Sequence, residues 1–392
     1  MTATITTTGF VRDQLLEAQA AGERIRVVGA GQWLDAGRPV NVSRSLELAS
    51  FSGLTEYVPG DLTLTARAGT TLAEIARATA EHGQWLALDP FGSPNGTIGA
   101  TVATASSGPL AHAFGSPRDQ VLGLEIVSGN SDVIRAGGKV VKNVAGFDLT
   151  RLFTGSWGTL GVITEVTLRL RALPAVESHI AVAVPDDSPA AIAGLARDAM
   201  ALRAAPYAME LVNGALASRI GLGAATALLV RLGGNAKAVA AQRDAFVALG
   251  RLSDAPADVW QSLRSAEPQG AAVLRLADWP ARFADTWTAA RDVAAMIPGT
   301  LIHGTISRGV VRVIFLHRSD EQIAGAVRRL AASGARITGE RLPLAAWTAL
   351  HATSNSGSDD SRVVLATLMR RVKDTYDPMH LLNPGILGEG IA

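Results

Sequence analysis

Gly155, Gly158 and Gly161 stand three residues apart at the end of the stretch Lys139 to Ile163, KVVKNVAGFDLTRLFTGSWGTLGVI. Glycine lets backbone N–H groups approach a ligand where a Cβ would collide. Ser156 and Thr159 add hydroxyl donors, so the loop suits an anionic, planar cofactor bound with few charged side chains. Taken alone, the same glycines also fit a tight strand-to-strand turn. A second run, Val27-Val28-Gly29-Ala30-Gly31, follows a β-rich segment and resembles a pyrophosphate-binding turn. Leu34 stands where a G-x-G-x-x-G fingerprint needs its third glycine, and a helix precedes the strand, which argues against a Rossmann unit. A pyrophosphate-binding turn of another architecture survives that objection. With the glycines between Gly92 and Gly108, the first 161 residues carry three such segments. Together they describe a long cofactor in a groove between two small α+β lobes, held mainly by backbone amides.

The composition between the glycine segments supports this. From Pro90 to Pro117 there is no Asp, Glu, Lys or Arg, although charged residues make up 18% of the chain. Gly, Ala, Ser and Thr replace them. Such a segment is too polar and broken for a membrane helix and too uncharged for a disordered linker. It reads as buried backbone that something approaches closely, or as a packed wall against another element. Formal net charge is +1 and no Lys/Arg run exists, so no electrostatic footprint for nucleic acid or an acidic membrane surface is present. Cysteine is absent, which excludes disulfides, a thiolate nucleophile, a cysteinyl flavin link and a Cys-ligated iron–sulfur cluster in this chain. The N-terminus lacks a basic region followed by an apolar core, and no apolar run approaches the roughly 18 residues of a span. A cytoplasmic location is expected, with any attachment to the inner membrane made through partners.

Elements of both periods must position these residues. Phe10–Ala21 and Thr71–His82 have helical periodicity, the second capped by Thr70 or Thr71 and stopped at Gly83. Arg24–Val28, Leu62–Ala68 and Val162–Leu170 read as strands, and Leu122–Ser128 with Asp132–Arg135 as a hairpin through Gly129-Asn130. A length of 392 residues favours two domains, and the composition shifts at Arg171 to Pro174. Beyond that point, the order strand, helix, strand, strand, helix appears twice between His179 and Glu340. This implies an antiparallel sheet covered on one side by helices, a ferredoxin-like arrangement. A helix over Arg362–Tyr376 and turns at Asp377-Pro378 and Asn383-Pro384-Gly385 close the chain, after an exposed loop from Ser354 to Ser361.

Phe91-Gly92 through Ala103, Gly115 to Asp119, Lys142 to Asp148 and Gly155 to Gly161 resemble the FAD-binding domain of the vanillyl-alcohol-oxidase/PCMH superfamily. The resemblance spans about Arg24 to Leu170, and Asp377-Pro378 with Leu382 to Gly385 is similar to the superfamily's C-terminal signature. It implies an α+β protein: a two-lobed PCMH-type FAD-binding domain over residues 1–173, a ferredoxin-like cap domain over 174–343, and a C-terminal helix and tail over 344–392 that returns to the FAD domain. Within the superfamily, the KNVAGFDL and GSWGTLG pairing is most similar to the FAD-binding subunits of bacterial glycolate oxidases. The resemblance therefore implies an oxidoreductase acting on glycolate or another small 2-hydroxy acid. It also implies two partners, a catalytic flavoprotein subunit and an iron–sulfur subunit.

Carried over position by position, the resemblance puts the FAD pyrophosphate on Gly29, Ala30, Gly31 and Gln32. It places further contacts at Pro90, Thr97, Ile98, Gly99, Thr101 and Ala103, and at Gly155, Gly158, Thr159, Gly161, Val162 and Ile163. Many relatives attach flavin through a histidine in the first glycine loop, where this chain has Gln32 and Trp33, so non-covalent FAD is expected. Related 2-hydroxy-acid dehydrogenases carry H-x-G-D-G-N-x-H and G-E-H-G metal motifs. The nearest matches, His303 to Ser307 and Gly339-Glu340-Arg341, leave one histidine and one glutamate, too few for a metal site. Removing a hydride from a hydroxy acid needs a base for the hydroxyl proton and a cation for the carboxylate. His303 with Arg308 or Arg341 offers both, although a satisfied strand histidine is the preferred reading of His303. His112, in the uncharged stretch, and Lys142, a lone positive charge in the best-matching motif, are further candidates to face a flavin. Lys142 fits a surface lysine between strands as well.

Overall fold

A computed structural model describes residues 7–138, 148–316, 318–354 and 360–388, so Lys142 and its motif lie outside the described residues. Two compact units divide the chain. The first comprises residues 1–107, 114–173 and 359–392, and the second comprises 108–113 and 174–358.

In the first unit, the helix Thr8–Ala21 starts at Thr7, whose hydroxyl accepts from Phe10 N. It buries Val11, Leu15 and Ala18, the 3.6-period stripe visible in the sequence. Thr71 and Glu74 form a reciprocal capping box at the start of the helix Leu72–Ala80. The uncharged stretch contains a helix not read from its composition, Ile98–Thr104, capped by Thr97 and with Ile98, Gly99, Thr101 and Val102 buried. A five-stranded antiparallel sheet runs in the order Leu54–Val58, Thr63–Arg67, Gly161–Arg169, Val121–Ser128 and Val133–Gly137. Ile25–Val28 and Arg44–Glu47 form a separate parallel pair.

Behind the central strands, the Glu125 carboxylate is 7% exposed at residue level. It accepts from Thr8 Oγ1 at 2.5 Å, Arg135 Nε at 2.8 Å and Thr164 Oγ1 at 3.1 Å. Burial pushes its carboxyl up, but these donors and the Arg135 charge outweigh that and hold it below the ordinary carboxylate value of 4.5. A depressed folded pKa contributes stability above the unfolded value, lost as pH falls through the folded one. Glu125→Gln is expected to cost about 1–3 kcal/mol at neutral pH. The gap from the parent should narrow below pH 4.5, as read from urea midpoints across a pH series.

In the second unit, eight strands form one fully antiparallel sheet. Its order is Leu252–Asp254, Val176–Val184, Thr226–Gly234, Ala208–Val212, Leu301–Thr305, Val310–Phe315, Ala272–Ala277 and Arg336–Arg341. Each half is strand-helix-strand-strand-helix-strand, with a short helix inserted between the second and third strands of the first, and the two halves join where Ala208–Val212 pairs with Leu301–Thr305. Alternate residues divide the apolar core. Met209, Leu211, Leu228 and Leu274 face the long helices Pro189–Ala201, Ala236–Phe246, Phe283–Met296 and Asp320–Ala331. Ala208, Val212, Leu229 and Val273 join a cluster with two short helices, Gly214–Arg219 and Val259–Arg264. The expected one-sided cover is thus incomplete: these helices are too short to show a period and cap part of the opposite face. The helix Leu344–Ser354 packs with Asp320–Ala331 in this unit, and only residues beyond 358 belong with the first unit.

Candidate functional site

Within the first unit, a cleft of about 780 Å³, open mouth included, lies among the ends of Ile25–Val28, Ile98–Thr104 and the loop before Gly161. Cofactor sites are typically concave and mostly apolar. Gly29, Ala30, Gly31 and Gln32 line it, with Thr97, Gly99, Ala103, Gly158, Gly161 and Ile163. The other proposed contacts lie behind this lining. Ile98 and Val162 are fully buried, and Thr101 donates its hydroxyl to Thr97 O. Gly155 N donates to Val102 O. Pro90 is buried and does not line the cleft. Thr159 donates its hydroxyl to Ser156 O at 2.7 Å, so that donor is spent on the loop itself. Ser156 Oγ is buried without a hydrogen-bond partner among the described residues.

The glycine spacing has two origins. A Cβ on Gly161 would lie 2.6 Å from Ile126 Cγ2 and 2.9 Å from Val127 O, so strand packing requires this glycine. Gly158 has φ +66, and a Cβ there would lie 2.8 Å from Asn383 Nδ2. Asn383 is a site residue whose partners no local pattern reveals. Its Oδ1 accepts from Val27 N at 2.9 Å and its Nδ2 donates to Trp157 O at 2.6 Å. One side chain thereby ties the strand before Gly29 to the loop before Gly161. Asn383 N donates to Ile25 O, and Ile25 N to Leu381 O, which adds the tail to that strand.

The tail is itself held by a buried ion pair. Lys373, at the end of the helix Asp360–Tyr376, is 1% exposed, and Asp377 is fully buried. Lys373 Nζ donates to Asp377 Oδ2 at 2.7 Å, to Thr159 O at 2.7 Å and to Leu382 O at 3.1 Å. Asp377 also accepts from Leu381 N and Leu382 N. Burial lowers the Lys373 pKa, and the Asp377 charge opposes that effect.

The cleft fits a dinucleotide bound through backbone. Arg26 is the only ionisable side chain lining it among the described residues. The amides of Gly29, Ala30, Gly31 and Gly158 donate to no group among the described residues, leaving a set of N–H donors at the lining. Such donors suit an anion. Arg26 donates to Leu34 O at 2.7 Å, which fixes the loop carrying Trp33. Trp33 and Trp157 meet edge to face, with centroids 6.1 Å apart, and both line the cleft. Sequence reasoning noted Trp33 only as a replacement for histidine, and gave Trp157 no role.

In the second unit, the residues considered for substrate chemistry separate. His303 is 2% exposed, with Nδ1 2.8 Å from Glu210 Oε2, and Thr305 donates to the same carboxylate. Arg341 pairs with Glu267 at 3.0 Å, and Glu267 also pairs with the buried Arg312. Arg308 donates to Ala111 O at 3.2 Å. Beside it, Ser307 Oγ lies 2.7 Å from His112 Nδ1. No three His, Cys, Asp or Glu side chains converge on one point among the described residues.

Comparison with known proteins places this geometry. Residues 1–137 match the family described as FAD binding domain. Over 164 residues the chain is 38% identical to glycolate oxidase subunit GlcE of Escherichia coli (strain K12), spanning 41% of this chain and 46% of that protein. It is 37% identical over 153 residues to glycolate oxidase subunit GlcD of Bacillus subtilis (strain 168), spanning 39% of this chain and 32% of that protein. A third relative, the mitochondrial D-lactate dehydrogenase [cytochrome] of Arabidopsis thaliana, is 43% identical over 124 residues, 32% of this chain and 21% of its own. The match thus spans less than half the length of each of these relatives. Among solved structures, p-cresol methylhydroxylase with substrate bound superposes with a TM-score of 0.77 at 16% identity, covering 98% of this chain and 88% of that one. Alkyldihydroxyacetonephosphate synthase gives 0.68 at 17%, covering 95% and 75%. Residues 1–137 thus carry an FAD-binding domain, with FAD as its cofactor, and the fold is that of the PCMH-type FAD-binding flavoproteins.

Proposed function

We propose that this chain is the FAD-carrying subunit of a glycolate (2-hydroxy acid) oxidase/dehydrogenase complex, oxidising glycolate to glyoxylate and passing electrons to an iron–sulfur partner. The observation that carries the reading is the 38% identity over 164 residues to a glycolate oxidase subunit. A second relative is also a glycolate oxidase subunit, which supports a multi-subunit assembly. The chain has no cysteine to ligate an iron–sulfur cluster, so that role falls to another subunit. A catalytic flavoprotein subunit completes the proposed complex. No described helix is long and apolar enough to cross a membrane. The proposed location is the cytoplasm, with any membrane attachment through partners.

Bound flavin supplies the two-electron acceptor, and the protein supplies position and electrostatics. In this reading, the amides of Gly29, Ala30 and Gly31 bind the pyrophosphate. Asn383 holds that turn in register with Gly158, while Trp33 and Trp157 wall the cleft against water. Gln32 and Trp33 offer no atom for a flavin link, so the cofactor is non-covalent. Two measurements test this. Trichloroacetic acid should leave the pellet colourless and the flavin in the supernatant; yellow colour retained on the pellet would refute the non-covalent assignment. Anaerobic glycolate should bleach the flavin of the assembled complex, whereas flavin that light reduces and no 2-hydroxy acid does would refute the reaction. A second reading, a free-standing FAD oxidoreductase, is favoured by the uncommitted Arg308 beside His112. Rapid bleaching of the isolated chain by glycolate or D-lactate would establish it over the first.

A further inference from the structure

The cations of the second unit are not equivalent. Arg312 is bound by Glu267 and Glu340, at 2.6 Å and 2.8 Å, and Arg341 by Glu267. Arg275 lies 3.4 Å from Glu340. Arg308 has no carboxylate partner among the described residues, and its one hydrogen bond goes to the Ala111 carbonyl. The histidines divide in the same way. His303 is buried against Glu210, whereas His112 is half-buried, bonded through Nδ1 to Ser307, and its Nε2 has no partner among the described residues.

Two hydrogen bonds between neighbouring pairs set the geometry. His112 meets Ser307 while Ala111, the residue before it, meets Arg308, the residue after Ser307. These paired links hold the Arg308 guanidinium and the His112 imidazole side by side. Both are half-buried, so a small ligand can reach them while surrounding protein limits screening. Burial keeps the His112 pKa below its ordinary value, Glu210 pulls it up, and Arg308 pushes it down again. The ring is therefore neutral at neutral pH. In the tautomer whose Nδ1–H donates to Ser307, Nε2 presents a lone pair. Glu210 is 1% exposed and already accepts from Thr305 and His303, so it does not compete for a ligand at Arg308. Arg308, Arg312 and Arg336 all repel the charge on Arg275, which puts Arg275 within electrostatic reach of Arg308.

We infer that Arg308, His112 and Ser307 form a binding site for a small 2-hydroxy carboxylate, in which Arg308 pairs with the carboxylate and His112 Nε2 accepts a hydrogen bond from the 2-hydroxyl. The substrate class rests on the proposed function; the anion site rests on the side chains alone. A guanidinium with no carboxylate partner can bind one with two parallel N–H donors. The site keeps Arg308 and replaces His303 and Arg341, the other two residues the sequence offered, which the fold has already paired.

Calorimetric titration of the photoreduced, anaerobic holoprotein tests this, because reduced flavin cannot turn over the ligand. Glycolate should bind saturably and acetate more weakly. Arg308→Gln should weaken both at least tenfold, with Arg308→Lys intermediate. His112→Phe should erase the preference for glycolate over acetate and leave acetate binding nearly unchanged. Thermal midpoints of all three variants should stay near the parent, which separates loss of the site from loss of the fold. Parent and Arg308→Gln protein binding glycolate alike, or a parent that binds neither acid, would overturn the site. The two proposals fail separately. If glycolate binds through Arg308 but no 2-hydroxy acid reduces the oxidised flavin, the proposed reaction falls and the anion site stands. If glycolate reduces the flavin of parent and Arg308→Gln protein at equal rates, the site falls and the reaction stands.

Discussion

Lys373→Met is expected to destabilise the first unit by about 3–5 kcal/mol and to release FAD in the same step. Removing one partner of a buried ion pair leaves the other charge uncompensated, which carries a cost of that size. Asp377 is fully buried, and its remaining donors, Leu381 N and Leu382 N, are neutral amides. The lost ammonium also frees the carbonyls of Thr159 and Leu382, one on the glycine loop and one on the tail beside Asn383. Urea denaturation of the FAD-free protein reads the stability and retention of FAD through gel filtration reads the cleft. The double variant Lys373→Met/Asp377→Leu should recover part of the stability, because no charge remains buried alone. A single variant within 1 kcal/mol of the parent would mean that water reaches Asp377 and that the ion pair does not hold the tail.

Gly158→Val should fold and bind FAD about 100-fold more weakly. The left-handed backbone at φ +66 costs a side chain about 1–2 kcal/mol, and more for a β-branched one. Its Cβ would also press on Asn383 Nδ2, 2.8 Å away, and break the link between Val27 and Trp157. Each lost hydrogen bond adds about 1 kcal/mol. Together these reach the roughly 2.8 kcal/mol that a 100-fold change requires. Asn383→Ala, which removes the link without straining the loop, should give a smaller loss of affinity in the same titration. Equal FAD affinity in Gly158→Val and the parent would show that the loop before Gly161 bears no part of the cofactor.

Local chemistry made much of this legible. Alternation marked the strand Gly161–Arg169, and the threonine cap with the stop at Gly83 marked the helix Leu72–Ala80, because these encode which side is buried or which amide lacks a partner. The uncharged run from Pro90 to Pro117 is buried only in part, with Ser93 to Asn95 and Ala113 exposed, and its helix Ile98–Thr104 stayed hidden because Gly, Thr and Val are weak helix formers. Glycines alone were ambiguous for a physical reason. Gly161 is needed by Ile126 and Val127, and Gly158 by a residue 225 positions later. Partners so distant in sequence follow from topology, and no window contains Asn383 with Trp157. The same holds for His303, Arg308 and Arg341: their types suggested substrate chemistry, but only the pairing of strands shows that Glu210 and Glu267 have taken two of them.

The central claim is that the cleft among Gly29, Thr97 and Gly158 holds FAD, and equilibrium titration of FAD-free protein with FAD tests it most directly. Tryptophan fluorescence and flavin absorbance should saturate together at one FAD per chain, with quenching reduced in Trp33→Phe and Trp157→Phe and binding weakened in Gly158→Val. Saturation that leaves tryptophan emission unchanged, or FAD that passes through gel filtration apart from the protein, would contradict it.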